Sequence, residues 1–226
     1  METIATIILA AGKGTRMKSS VPKILHPMAG EPMIFYPITT IKDELNANPL
    51  VVVVGKEGEK IKVYFEDTPI LFAEQPEPLG TAHAVMCGKE LLKNFTGDIL
   101  IMCADAPLIT GVTLRKFIEK CQKNKAVIGV LTTIHPNPYG YGRVIRDEKG
   151  FVTKIVEEKD ATPEEKNIKE INSGIYLVNS SFLWQGLSEI EANNVQGEYY
   201  LTDLLEVARK YKKKIVAWQT EDYEEV

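Results

Sequence analysis

Cysteine is scarce in this chain. Its three thiols, Cys87, Cys103 and Cys121, are an odd number without the paired spacing of a metal site. That excludes a disulfide-stapled scaffold and a structural zinc module, and predicts a reducing compartment, the cytoplasm. Histidine gives no catalytic arrangement either: His26 and His135 stand at no triad spacing, and His83 reads as a packed residue of an apolar helix. A long hydrophobic run is also missing. The apolar stretch from Ile4 to Ala11 falls well short of the ~20 residues a membrane helix needs. Glu2, not a basic cluster, precedes it, so neither a signal peptide nor a membrane span is expected. Positive charge is not in excess: 27 Lys and Arg face 31 Asp and Glu, a formal charge of -4. That argues against holding nucleic acid by bulk charge. What the 226 residues do contain is 44% hydrophobic side chains, enough for the core of one α/β domain.

Short β-branched runs alternate with helical patterns. Thr3–Leu9, Leu50–Val54, Ile70–Phe72, Asp98–Cys103 and Ala126–Thr133 read as strands, with Met33–Leu45, Thr81–Leu92 and Val112–Asn124 as the helices between them. Such alternation predicts right-handed crossovers and a mainly parallel sheet covered on both faces. After Thr133 the strand signals crowd together, at Arg143–Arg146, Val152–Glu157 and Glu170–Val178, with a turn over Asp147–Gly150. That reads as an antiparallel insertion beside the sheet. Helices at Ser181–Ile190 and Leu201–Tyr211 and a strand at Lys214–Gln219 complete the pattern.

The first strand runs directly into a loop of small residues, Leu9, Ala10, Ala11, Gly12, Lys13, Gly14, Thr15, Arg16 and Met17. The carboxyl edge of an open α/β sheet is where ligands bind. Glycines at positions 12 and 14 let backbone N–H groups approach an anion, and a triphosphate suits such a seat. A glycine pair after a strand can equally be a tight turn, and the basic residues sharpen the reading. Arg16 carries a planar fork for phosphate oxygens, while Lys23, after Pro22, is a mobile point charge. Met17 stands where the dinucleotide fingerprint needs its third glycine, and the ATPase phosphate loop is absent too, which weakens dehydrogenase and ATPase readings.

Leu9 to Met17 followed by Pro22 and Lys23 resembles the signature of sugar-1-phosphate nucleotidyltransferases. Further segments keep the order of one branch of that family over essentially the whole chain. They are Gln75 with Leu79–His83, Asp105 with Pro107 and Leu108, Gly140–Arg143, Val156–Asp160, Glu170–Gly174 and Gln196–Asp203. That branch is the uridyltransferase half of bacterial bifunctional N-acetylglucosamine-1-phosphate uridyltransferases/glucosamine-1-phosphate acetyltransferases.

The resemblance implies a Rossmann-like nucleotidyltransferase fold: a mixed, mainly parallel sheet with helices on both faces and a small antiparallel sugar-binding insertion. Residues 1–133 would form the nucleotide half and 134–226 the sugar half. It implies that Arg16 and Lys23 are catalytic, and that Leu9, Ala10, Ala11, Gly12, Gly14, Gln75, Gly80, Thr81, Cys103 and Ala104 bind the nucleotide. Gly142, Glu157, Asn172, Tyr199 and Thr202 would bind the sugar, and Asp105 would ligate Mg²⁺. The chemistry of several residues agrees. Gln75 offers a donor and an acceptor to the edge of uracil. Glu157 accepts from hydroxyls, and Asn172 serves both hydroxyl and acetamide. A single Asp suits Mg²⁺, which is commonly held by one or two protein groups plus phosphates and water. Each residue alone also has a structural reading, Asp105 as a helix cap and Glu157 or Asn172 as ordinary strand residues. Cys103 and Ala104 depart from the aromatic residue and glycine usual before the metal Asp, so a ring contact is lost while a backbone contact survives. Cys103 has no partnered base and reads as a small strand-end residue, not a nucleophile.

The expected partners are UTP, N-acetylglucosamine 1-phosphate, UDP-N-acetylglucosamine and pyrophosphate, with no nucleic acid and no membrane. The family's second metal ligand, an Asn, is expected shortly after Glu225 and Val226, so the chain is expected to lack half its metal site. The acetyltransferase β-helix is likewise expected to be absent, leaving a monomer. Two alternatives remain: a nucleotidyltransferase using another sugar phosphate or nucleotide, and a noncatalytic sugar-nucleotide-binding regulator.

Overall fold

The computed structural model describes residues 3–12, 14, 17, 19, 21–56 and 58–226. Along the chain, β1 (Ile4–Ala10) leads through the small-residue loop to a ribbon of β2 (Pro27–Met28) and β3 (Glu31–Pro32). Next come α1 (Phe35–Thr39), continued by a π-helical turn at Thr40–Leu45, then β4 (Leu50–Val54), α2 (Glu59–Tyr64), β5 (Leu71–Glu74) and α3 (Thr81–Cys87). β6 (Asp98–Cys103), α4 (Gly111–Lys123) and β7 (Ile128–Ile134) follow, and the pair β8 (Arg143–Arg146) and β9 (Val152–Val156) branches off. The chain returns through α5 (Pro163–Lys166), β10 (Glu170–Asn179), α6 (Ser180–Leu187), α7 (Leu204–Lys210) and β11 (Ile215–Thr220).

The main sheet has the order β11-β7-β10-β6-β1-β4-β5. All neighbouring pairs are parallel except those of β10, which runs antiparallel to both β6 and β7. β4 shows why the sheet is covered on both sides. Val51 and Val53 join the cluster on one face and Val52 and Val54 the cluster on the other, all fully buried. α4 supplies part of the second face with Leu114, Phe117, Ile118 and Cys121 at helical spacing, and Thr110 caps it by accepting from Thr113 N–H.

Ile38 of α1 packs on one face of the sheet, whereas Ala82, Ala84 and Val85 of α3 pack on the other. The crossover leaving β1 and the one entering its neighbour β6 therefore lie on opposite faces. Between the carboxyl ends of those two strands this opens the crevice typical of doubly wound sheets.

One expectation is corrected, and one helix carries no signal in the sequence. The stretch Glu170–Asn179 does not lie beside the sheet; only β8 and β9 do. Ile175, Tyr176, Leu177 and Val178 are all buried, so this segment has two covered faces and pairs inside the main sheet. The helix α2 went unread because Ile61 is its one buried hydrophobic residue and no side chain caps it.

Candidate active site

At the carboxyl end of β1, the Leu9 carbonyl accepts from the Ala104 N–H (3.0 Å), which ties the loop after β6 to the loop after β1. The chain then turns through Ala11, Gly12 and Gly14. Gly14 has a φ of +56°, and a Cβ there would lie 2.6 Å from the Cβ of Lys23, so a larger residue would push Lys23 away. Lys23 in turn reaches across to Asp105, Nζ to Oδ2 at 2.7 Å. Arg16, expected to be catalytic, lies outside the described residues.

These elements line a cleft of about 500 Å³. Leu9, Ala10, Ala11, Gly12, Gly14, Gln75, Gly80, Thr81 and Cys103 all border it, together with Lys23 and Asp105. Ala104 does not: it is buried at 1% exposure, and its amide is spent on Leu9. Gln75 sits at the end of β5 with its backbone N–H on the Val54 carbonyl (2.8 Å). Its side-chain nitrogen contacts the Gly80 carbonyl and His83 Nδ1, each at 3.0 Å. Thr81 holds the far wall, its hydroxyl oxygen accepting from Leu201 N–H (2.9 Å).

The residues expected to bind the sugar form a second, adjoining group. Thr202 donates to Glu157 (3.4 Å), the Asn172 N–H donates to the Gly142 carbonyl (2.9 Å), and a Cβ on Gly142 would come 3.4 Å from Glu157 Oε1. The bulge between Asn172 and Tyr176 in β10 makes this possible. Gly174 takes a φ of +78°, its N–H donates to Asn172 Oδ1 (3.0 Å), and Asn172 Nδ2 donates to the Tyr176 hydroxyl (2.7 Å). Tyr199 contributes backbone: its N–H donates to the Leu79 carbonyl and its carbonyl accepts from the Ala82 N–H, which staples the segment before α7 to the start of α3.

Burial, with Asp105 adding repulsion, pushes the Cys103 thiol up to about 12, so it stays protonated and is no nucleophile. Burial raises the Glu157 carboxyl, against the Thr202 hydrogen bond and with the nearby Asp203, Asp160 and Glu198 adding to the rise. Tyr176 is pushed well up by burial, then by Glu157 and Cys103, and remains a neutral phenol. A Cβ on Gly174 would come 3.3 Å from Cys103 Sγ, so the β10 bulge that holds Asn172 lies against a residue bordering the cleft.

Three residues around the site escaped the sequence reading. Tyr176 alternates like any core strand residue. Glu198, which lines the cleft, sits in an irregular segment. His83 looked like helix packing, yet its Nδ1 meets Gln75.

The nucleotidyl transferase family model matches residues 5–223. The chain belongs to that family. Among relatives of this nucleotidyl transferase, the bifunctional protein GlmU of Geotalea daltonii is 50% identical over 227 residues, covering 100% of this chain and 50% of that protein. The bifunctional protein GlmU of Lactococcus lactis subsp. cremoris is 46% identical over 220 residues, 97% of this chain and 47% of that one. The nucleotidyl transferase chain thus spans about half the length of these curated relatives. A crystal structure of UDP-glucose pyrophosphorylase complexed with UDP-glucose superposes with a TM-score of 0.80 at 20% identity, covering 97% of this chain and 91% of that one. That likeness shows the shared fold: a mixed, mostly parallel sheet with helices and a small antiparallel part. Among the described residues no helix is long and apolar enough to cross a membrane.

The donor chemistry at Asp105 fits a hard divalent cation. Its carboxylate is partly exposed in a cleft whose other expected occupant is a polyphosphate, and Mg²⁺ characteristically combines one or two protein carboxylates with phosphate oxygens and water. Among the described residues no cluster of three His, Cys, Asp or Glu forms a protein-only cage.

Proposed function

We propose that this nucleotidyl transferase moves UMP from UTP to N-acetylglucosamine 1-phosphate, giving UDP-N-acetylglucosamine and pyrophosphate for cell-wall precursor synthesis. The observation that carries the reading is the adjacency of two groups. A cleft with a small-residue loop, Lys23, Asp105 and Gln75 opens beside the Glu157, Asn172 and Thr202 cluster. Residues 1–133 supply the nucleotide seat and 134–226 the sugar seat.

The sugar phosphate is already an anionic oxygen nucleophile. That oxygen forms a bond to the α-phosphorus of UTP as the bond from this phosphorus to the bridging oxygen breaks, and pyrophosphate leaves with the electron pair. No general base and no covalent enzyme intermediate are needed, so the protein acts by alignment and charge neutralisation. Lys23 balances charge on the phosphates, with Arg16 expected to share that task. Gln75 reads the base, and Glu157, Asn172 and Thr202 orient the sugar. Asp105 holds Mg²⁺, which when bound supplies positive charge against the phosphate oxygens.

Pyrophosphate release from UTP and N-acetylglucosamine 1-phosphate in MgCl₂, lost on chelation, tests the reading. The panel includes glucose 1-phosphate, dTTP and CTP. Turnover preferring another pair would reassign the substrates. Tight UDP-N-acetylglucosamine binding with no turnover of any pair would replace the enzyme with a binding protein.

A further inference from the structure

Gln75 is 6% exposed, and its carboxamide borders the cleft. A free carboxamide presents either a donor or an acceptor and therefore discriminates little between bases. This one is held. Its nitrogen lies 3.0 Å from the Gly80 carbonyl, which can only accept, so that end of the amide must be the NH₂. The same nitrogen lies 3.0 Å from His83 Nδ1. Facing an NH₂, Nδ1 must offer its lone pair, which sets the neutral tautomer with the proton on Nε2. Both amide protons are thereby used, and Oε1 is the polar valence left to a ligand. The Gly80 carbonyl also accepts from Ala84 N–H (3.1 Å) in the first turn of α3, so it divides its capacity, whereas Nδ1 serves Gln75.

We propose that His83 is a positioning residue for base selection: by fixing the Gln75 amide with Oε1 outward, it selects a pyrimidine that carries a proton on N3 over one that does not. The inference rests on the uridine-nucleotide reading of the cleft. With N3 opposite Oε1, uracil or thymine donates its N3–H. Cytosine would set one lone pair against another, a buried mismatch. The recognition element thus includes a residue eight positions from Gln75 that need not touch the ligand.

Titration calorimetry with UTP and with CTP tests this without relying on turnover. The wild-type chain is expected to bind UTP more tightly. His83→Leu, which removes the acceptor, should lower that preference about tenfold, the worth of one orienting hydrogen bond. His83→Asn, whose Oδ1 can stand in for Nδ1, should hold it within about twofold of wild type by the same accounting. A merely structural role would lower both affinities together and leave the ratio alone. His83→Phe replaces the Leu variant if that one does not fold. A Leu or Phe variant with the wild-type ratio, or an Asn variant that fails as they do, overturns the proposal. A wild-type chain indifferent to the base overturns the uridine reading itself and the selection with it.

Discussion

The Lys23 ammonium and the Asp105 carboxylate, which follow the neighbouring strands β1 and β6, are each other's ion-pair partner at 2.7 Å. Both side chains are partly exposed, at 32% and 41%, and such solvent-screened pairs contribute roughly 0–1 kcal/mol. The pair is therefore cheap to exchange. On the proposed reading, an incoming triphosphate would take Lys23 and free the Asp105 carboxylate for a cation.

Lys23→Ala should accordingly cost at most about 1 kcal/mol of stability in urea titration. Its effect on turnover should be far larger, a fall of about a hundredfold or more in kcat, as for loss of a preorganised charge-stabilising group. Near-normal pyrophosphate release by a folded Lys23→Ala chain would remove Lys23 from the mechanism.

Gly80→Ala should destabilise the protein by about 2 kcal/mol or more. The backbone there has a φ of +112°, and a Cβ would come 2.4 Å from the Tyr199 carbonyl oxygen and 2.7 Å from its nitrogen. Both obstacles are backbone atoms already bonded to Leu79 and Ala82, so no side chain can swing aside. A urea midpoint unchanged from wild type would show that the Leu79–Ala82 staple is loose.

Much of this arrangement was legible because strong local signals coincide with it. The apolar runs of Leu50–Val54 and Asp98–Cys103 give strands with those bounds. The glycine loop and Asp105 stand at strand ends, where a parallel sheet gathers ligand groups. What stayed hidden depends on contacts between distant positions. β10 reads as an edge insertion until β6 and β7 are seen to flank it. Its bulge at Gly174, which sets Asn172 against Tyr176, leaves no periodic trace. The pairing of Gln75 with His83 spans a loop and the start of a helix, and α3 is apolar enough to disguise the histidine as packing.

Asp203 gives the chain a pH-dependent weakness beside the sugar group. Burial, then Glu206 and Asp160, raise its carboxyl to about 6. A carboxyl whose folded value lies above the unfolded value of about 3.9 favours the fold in its protonated form. That contribution is complete below about pH 4 and is lost as pH rises through about 6. Asp203→Asn keeps the neutral form at every pH. It should be more stable than wild type by about 1 kcal/mol at pH 8, after allowing for solvent screening of this half-buried group, and about equal at pH 4. Urea titrations at the two pH values decide it, and a gain of the same size at both would point to packing instead.

The turn that presents Gly142 hangs on a charge buried nearly completely. Arg143 has 2% side-chain exposure and donates from Nη2 to Glu158 (2.8 Å) and from Nη1 to the Tyr141 carbonyl. Glu158 also accepts from Gly140 N–H (3.0 Å), and that bond first, then Arg143, holds its carboxyl below the ordinary range. Removing one partner strands the other, so Glu158→Gln should cost about 3 kcal/mol. Arg143→Met with Glu158→Gln should cost less than the sum of the two single changes, because the second substitution removes the charge the first left unpaired. The pair lies on either side of Gly142 and Glu157, and loosening it should raise the KM for the sugar phosphate more than that for UTP. A double-mutant cycle that is additive in stability, with both KM values moving together, would mean the ion pair neither stabilises the turn nor positions the sugar seat.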